Sequence, residues 1–340
     1  MKRRWIYWLL VIAFIWLVVN HFHEFADFSH TLARGHLLWI LVAVTLQILH
    51  YLISSTSYRT AFNTVGIDSR LRDLFPLLFS AIFLNVVAPT GGASGAALFV
   101  GHAARNGQSP TKATAGLLLQ LIVSMMAFMT ILTAGMVYLG IEHGLQLYQV
   151  GAALILVLMV ALGSGFLVIA MRRPALLRSI LAWIQGTVNR LYGRIKPTVL
   201  LSDEWVEDHA TEFIEAAEAI TTHPRSLIYT LGFLLFAHVI NLAVLYTLFL
   251  AFSQTIQVGT LVAGYAVGIL FLIVSITPQG IGVVEGVMPL VFNSMGVPNG
   301  VSALTVLAFR GLSFWLPLVV GFLLLRWSGV FRPRSQGLSR

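Results

Sequence analysis

Residues 276–287 read ITPQGIGVVEGV, with one proline, three glycines and one glutamate inside an otherwise apolar stretch. Proline lacks an N–H and interrupts a helix, and glycine admits backbone conformations that other residues avoid. The surrounding chain supplies the setting. Of 340 residues, 58% are hydrophobic and 10% charged, and the mean hydropathy is +0.86; a soluble domain carries roughly 25% charged residues. This is the composition of an integral membrane protein. In lipid an unpaired backbone group costs several kcal/mol, so a helix break is tolerated only where it is buried in protein or lines a wet cavity. Cysteine is absent, which removes disulfides, a thiol nucleophile and thiolate metal sites.

Working outward from the break, apolar runs approaching the roughly 20 residues that cross a bilayer lie at Trp5–Val19, Leu37–Ile53, Leu74–Ala88, Ala113–Leu139, Leu147–Ala170, Leu227–Phe252, Leu261–Ile276 and Val301–Leu325. The first follows Lys2-Arg3-Arg4, but NHFHEFADF comes after it with no small-x-small cleavage site, so it reads as a retained helix. All Lys and Arg residues except Arg34 and Arg310 fall in the two termini, 54–73, 101–112 and the long loop 172–225. The positive-inside rule makes those segments, and both termini, cytoplasmic.

Loops 54–73 and 101–112 are both basic, so the apolar segment between them must return to the side it entered from, turning at NVVAPTGGASGAALF, 85–99. The same reasoning asks the segment from Leu261 to turn at TPQGIG and return near Gly296. The predicted fold is therefore an all-α polytopic membrane protein: one transmembrane domain, 1–340, with about six full transmembrane helices. Two oppositely oriented re-entrant helical hairpins lie at about 74–105 and 261–295. An offset of 189 maps Pro89 onto Pro278, Gly91 onto Gly280 and Gly107 onto Gly296, the pattern of an inverted repeat.

Such breaks end half-helices at mid-membrane, and a helix N-terminus attracts anions through its free N–H groups. Pro278, Gln279, Gly280 and Gly282 in one break, and Pro89, Thr90, Gly91 and Gly92 in the other, are the candidate binding residues; proline and glycine that only kink packed helices are the plainer alternative. Glu285 is the one acidic residue within a membrane segment, and Arg310 the one basic residue. Groups of this kind pair or face a pathway, so the two form a structural salt bridge, a substrate or proton site, or both. The offset carries Gln120 to within one residue of Arg310, which adds it to the candidates. Gln47, His50, Asn85, His238 and Asn241 read first as interhelical hydrogen-bonding residues. His21, His23, His30 and His36 have no metal-ligand spacing. No zinc-protease, nucleophile-elbow or P-loop motif occurs, so no metal, cofactor or nucleic acid is expected.

The polar insertion, about 172–225, contains RRPALLRSILAWIQGTVNRLYGRIK, apolar at helical spacing with arginines between, the pattern of a helix lying on an anionic leaflet. Beyond Pro197, Ser202 is the expected cap of a second helix with Asp203 and Glu204 in its first turn, and its acidic face at 203–220 suits a cytoplasmic partner.

NVVAPTGGASGAA at 85–97, SITPQGIGVVEG at 275–286 and LAFRGLSFWLPLVVG at 307–321 together resemble the transmembrane-region family of lysylphosphatidylglycerol synthases. In those synthases the membrane part is regarded as a lipid flippase domain joined to a soluble acyltransferase-like domain. This chain ends at Arg340 without such a domain, so the resemblance implies translocation and not synthesis. It also implies a bacterial inner-membrane location. Gly95-Ala96-Ala97 stands where many members place a charged residue. The expected function is flipping of a phospholipid or other anionic lipid through a midplane cavity between the hairpins. The alternatives are a membrane-embedded lipid-modifying transferase and a non-transporting scaffold; the oligomeric state, including a homo-oligomer, stays open.

Overall fold

The computed structural model describes residues 35–325, apart from 89, 91, 143, 145–146, 194–201, 203, 223 and 276. The predicted first helix and the basic termini lie outside the described residues. Within them the chain forms α1 (Leu37–Thr64), α2 (Leu71–Val87), α3 (Ala93–Arg105), α4 (Pro110–Glu142), α5 (Leu147–Arg172), α6 (Pro174–Gly193) and α7 (Trp205–Thr222). There follow α8 (Pro224–Ala251), α9 (Val258–Val274), a 3-10 turn (Pro278–Gly280), α10 (Val283–Ser294) and α11 (Asn299–Arg310), which runs through a π-helical turn (Gly311–Trp315) into α12 (Leu316–Leu325). Proline opens α4, α6 and α8, where its missing N–H would have had no intrahelical partner.

Helices α1, α4 and α8, and the continuous α11–α12 rod, are long and apolar enough to cross a membrane. Leu37, Leu38 and Leu41 of α1, Leu121 and Val137 of α4, and Ile228 and Phe236 of α8 stand exposed, a surface that suits acyl chains and not water. The protein is an all-α polytopic membrane protein.

The chain is built twice. Leu37, Leu71, Ala93 and Pro110 start α1 to α4; Pro224, Val258, Val283 and Asn299 start α8 to α11, so the spacing stays between 187 and 190 residues. The paired helices match in length, 28 and 28 residues for α1 and α8, and 17 and 17 for α2 and α9. Their ends match as well. After α3, Gly107 N–H donates to Ala104 and Gln108 N–H to Ala103; after α10, Gly296 N–H donates to Asn293 and Val297 N–H to Phe292. Both glycines hold the left-handed conformation that this helix stop requires, with φ 73° and 87°.

The two halves are inverted relative to each other. Equivalent helices α1 and α8 lie side by side: His36 N–H bonds Ala251 O at 2.9 Å, His50 bonds Ala237 O at 3.1 Å, and Thr230 bonds Thr60 at 2.8 Å. Rising numbers on one helix meet falling numbers on the other, so the pair is antiparallel. Neighbouring contacts repeat in the same sense. Gly135 of α4 packs on Ala263 and Ala266 of α9, and Gly321 of α12 packs on Phe79 of α2.

The insertion folds as a packed helix pair, with Arg178 of α6 gripping Glu207 of α7 through two hydrogen bonds of 3.0 and 2.9 Å. Helix α7 starts later than the sequence suggests. Ser202 O accepts from Trp205 N–H and from the Gln185 amide, and Glu207 and Asp208 take the first-turn positions.

Candidate functional site

Helices α9 and α10 form the second hairpin around the break. They approach closely because Gly264 leaves room for Phe292 and Gly268 for Met288, while Gly280 sits against Leu272. This is the use of small residues at helix contacts in membranes. Pro278 opens the 3-10 turn, and three positive-φ residues within four positions, Gln279 (φ 53°), Gly280 (φ 68°) and Gly282 (φ 77°), reverse the chain. Gln279 adopts a conformation that favours glycine, and it is held there from outside. The Arg310 guanidinium donates to Gln279 O at 2.9 Å.

Arg310 also donates through Nε to Glu285 Oε1 at 2.5 Å. The second carboxylate oxygen of Glu285 accepts from Gly282 N–H at 2.9 Å. One carboxylate thus caps α10 and neutralises the buried cation, and one guanidinium fastens α11 to the break. Arg310 is 2% exposed and Glu285 18%. The Arg310 guanidinium lies 4.8 Å from the Phe314 ring centre, over its face.

Sequence reasoning expected open N–H groups at the half-helix ends. The structure shows those of α3 capped by the chain itself, while at α10 the Gly282 N–H is the one that Glu285 takes. In the first hairpin the caps are neutral: Ser94 N–H donates to Thr90 Oγ1 and Gly95 N–H to Asn85 Oδ1, both at 2.8 Å. A side chain at Gly95 would collide with the Asn85 amide. Gly95 stands at the repeat position of Glu285, and Gln120 within one residue of that of Arg310, so the charged pair of one half has no charged counterpart in the other.

The structure brings Pro278, Gln279, Gly280, Gly282, Glu285 and Arg310 into one cluster. Gln120 does not join it; its amide donates to Ser57 at 2.9 Å. Thr90 and Gly92 belong to the first break, and Pro89 and Gly91 lie outside the described residues. The two hairpins touch, since the 3-10 turn packs on α2 and Ile281 enters the core shared with Phe79, Leu98, Phe314 and Trp315.

Beside Arg310 lies a chamber of about 120 Å³, lined by α1, α8, α9, α10, α11 and the π-helical turn. Its polar residues include Gln47, His50, Tyr51, Asn241, Tyr265 and Ser313. Tyr51 was missed by sequence reading. Its hydroxyl donates to Ser313 O at 3.1 Å, satisfying a carbonyl in the π-helical turn. Only the unusual turn after Arg310 gives it that task, and no local pattern announces such a turn.

Three archaeal proteins, each named a UPF0104 membrane protein, are similar along most of their length. That of Methanothermobacter thermautotrophicus is 23% identical, with 87% of each chain covered. That of Pyrococcus horikoshii is 23% identical, with 86% of this chain and 87% of its own covered. That of Methanocaldococcus jannaschii is 21% identical, with 93% and 92% covered. A family model described as the lysylphosphatidylglycerol synthase TM region matches residues 5–321, the inverted repeat and its charged break included, and the chain belongs to that family.

Proposed function

We propose that the protein moves an anionic phospholipid between the leaflets of the cytoplasmic membrane, past the joint where its two broken hairpins meet. The observation that carries this reading is the Arg310–Glu285 pair. The cation is almost wholly buried, at 2% exposure, while its carboxylate partner keeps 18%. A phosphodiester arriving along the side of Glu285 would take over the guanidinium, whose planar fork matches a phosphate as well as a carboxylate. Displaced from Arg310, Glu285 still has the α10 N-terminus to cap.

The inverted halves give such a site two related ways of facing the membrane surfaces, the logic of alternating access in repeat-built transporters. In this reading the hairpins at 71–105 and 258–294 are re-entrant, and both termini, 54–73, 101–112 and 172–225 are cytoplasmic, following the basic loops. The chain carries no nucleotide-binding motif, so the drive is an ion gradient or the lipid gradient itself.

The test is reconstitution of the purified chain into vesicles with lipid labelled in one leaflet. Redistribution without chemical change is expected, with Arg310→Gln inactive and Arg310→Lys partly active. A labelled lipid that stays in place, a lipid that is chemically altered, or wild-type movement by Arg310→Gln contradicts the reading.

A further inference from the structure

An anion that binds Arg310 changes the charge of a buried site. At rest the Arg310 guanidinium and the Glu285 carboxylate cancel. A phosphodiester that takes over the guanidinium leaves two negative groups against one positive, and an unbalanced charge away from water is costly. One added proton restores neutrality. Glu285 keeps a place for its charge at the α10 N-terminus, on Gly282 N–H, so a second base is needed.

The chamber beside Arg310 contains one. His50 of α1 lines it together with Arg310, Tyr51, Asn241 and Tyr265. The other polar groups there are engaged: Gln47 bonds Tyr51, Tyr51 donates to Ser313 O, Asn241 bonds Tyr265, and the Tyr265 hydroxyl meets His238 Nδ1 at 2.8 Å. His50 is held differently. A carbonyl only accepts, so the 3.1 Å contact of Nδ1 with Ala237 O puts the ring proton on Nδ1 and the lone pair on Nε2. The Asn241 amide nitrogen stands 3.5 Å from that lone pair, the far limit of a hydrogen bond. Among the bases of this network, Nε2 of His50 is the one most weakly engaged.

The same amide can receive an added proton. Turning the Asn241 amide over exchanges its nitrogen for Oδ1 and presents an acceptor to the new Nε2–H. A second cation beside Arg310 is repelled while the chamber holds no anion, and is balanced once a phosphodiester is bound. Proton and anion therefore favour each other's entry. The charged and titratable groups facing His50 from the elements around the chamber are Tyr51 on α1, His238 on α8, Tyr265 on α9, Glu285 on α10 and Arg310 on α11. On α2 and α4, which also pack on α1, the described charged groups and the tyrosine stand near the helix ends, at Arg72, Asp73, Lys112, Tyr138 and Glu142.

We infer that His50 is the proton acceptor of the transport step, so that one proton crosses with each anionic lipid and the loaded site is electroneutral; this rests on the lipid-translocation reading. The proton comes from water on the loading side, adds to the Nε2 lone pair without breaking a bond of the protein, and leaves when the phosphodiester departs.

Two measurements test it. In vesicles with labelled phosphatidylglycerol, a singly charged phosphodiester, in one leaflet, a pH gradient of about one unit with the acid on the loading side should speed movement by up to about tenfold, the ratio of proton concentrations. A potassium diffusion potential should leave the rate unchanged, because the empty and the loaded site are both neutral. In His50→Gln the response to the pH gradient should vanish. A rate that follows the potential and ignores the pH gradient, or a pH response that survives in His50→Gln, overturns the inference.

Proton uptake by the detergent-solubilised chain is the second arm. If no lipid moves, the translocation reading fails, and uptake alone decides the proton site. Dimethyl phosphate, added in weakly buffered solution with a pH-indicating dye, should draw about one proton per anion bound. His50→Gln should draw none. Asn241→Leu keeps the base but removes the carbonyl that receives its proton, and should draw several-fold less at the same pH; undiminished uptake there overturns the inference even if His50→Gln does not fold. Uptake kept in His50→Gln and lost in Glu285→Gln or in His238→Gln places the proton on that other group and overturns the assignment, as does the absence of uptake in the wild type.

Discussion

Glu285 serves two partners at once, and this determines how its loss should read. Glu285→Gln leaves Arg310 buried at 2% exposure without a counter-ion, a loss of about 3–5 kcal/mol when one member of a buried pair is removed. Glu285→Gln combined with Arg310→Gln should recover much of that stability, since no unbalanced charge remains. Denaturation of the four proteins in detergent measures the coupling. Additive losses would mean that the two side chains act independently. The pair was legible in the sequence because each charge is an anomaly in an apolar run. What it grips was not legible: the Gln279 carbonyl and the Gly282 N–H are backbone groups, placed by a turn that only the folded hairpin defines. Gln47 and Asn241 were visible as polar residues on spanning helices, but their shared chamber arises from the crossing of α1 with α8, almost two hundred positions along the chain.

Within the second hairpin, glycines differ by what surrounds them. Gly264 is filled against by the Phe292 ring, so Gly264→Leu should overpack the α9–α10 contact and lower stability by about 1–3 kcal/mol. Gly286, inside α10, has open space where a Cβ would stand. Gly286→Ala should therefore stabilise the protein by about 0.5–1 kcal/mol, through the backbone entropy that a mid-helix glycine costs. Thermal unfolding of the two variants distinguishes these outcomes, and a stabilised Gly264→Leu would contradict the packing described. The breaks themselves were legible because proline and several glycines cluster there, whereas the lone Pro76 and Pro289 sit inside unbroken helices. The capping of α3 was not legible, since the sequence offers a free helix end there while the fold supplies Thr90 and Asn85 to close it. The start of α7 was missed for a related reason: Ser202, Asp203 and Glu204 all suit a helix entrance, and local chemistry does not choose among them.

The inverted arrangement of the two halves rests on the antiparallel contact of α1 with α8 and on matched helix lengths and stops. Sequence carried a trace of it, in the prolines and glycines of the breaks and the turns that follow. The equivalence of α1 and α8 left no such trace, because helices facing lipid are constrained in polarity and length and hardly in residue identity. If the halves are inverted in the membrane, the turns that close the two hairpins must lie on opposite sides of it. Both turns are exposed, at Asn106 and Asn299, and the chain has no native cysteine to confuse the labelling. Asn106→Cys and Asn299→Cys, each labelled in intact cells with a membrane-impermeant maleimide, should give an unreactive Asn106→Cys that labels only after lysis and a reactive Asn299→Cys; labelling of both, or of neither, in intact cells would place the turns on one side and contradict the inverted architecture.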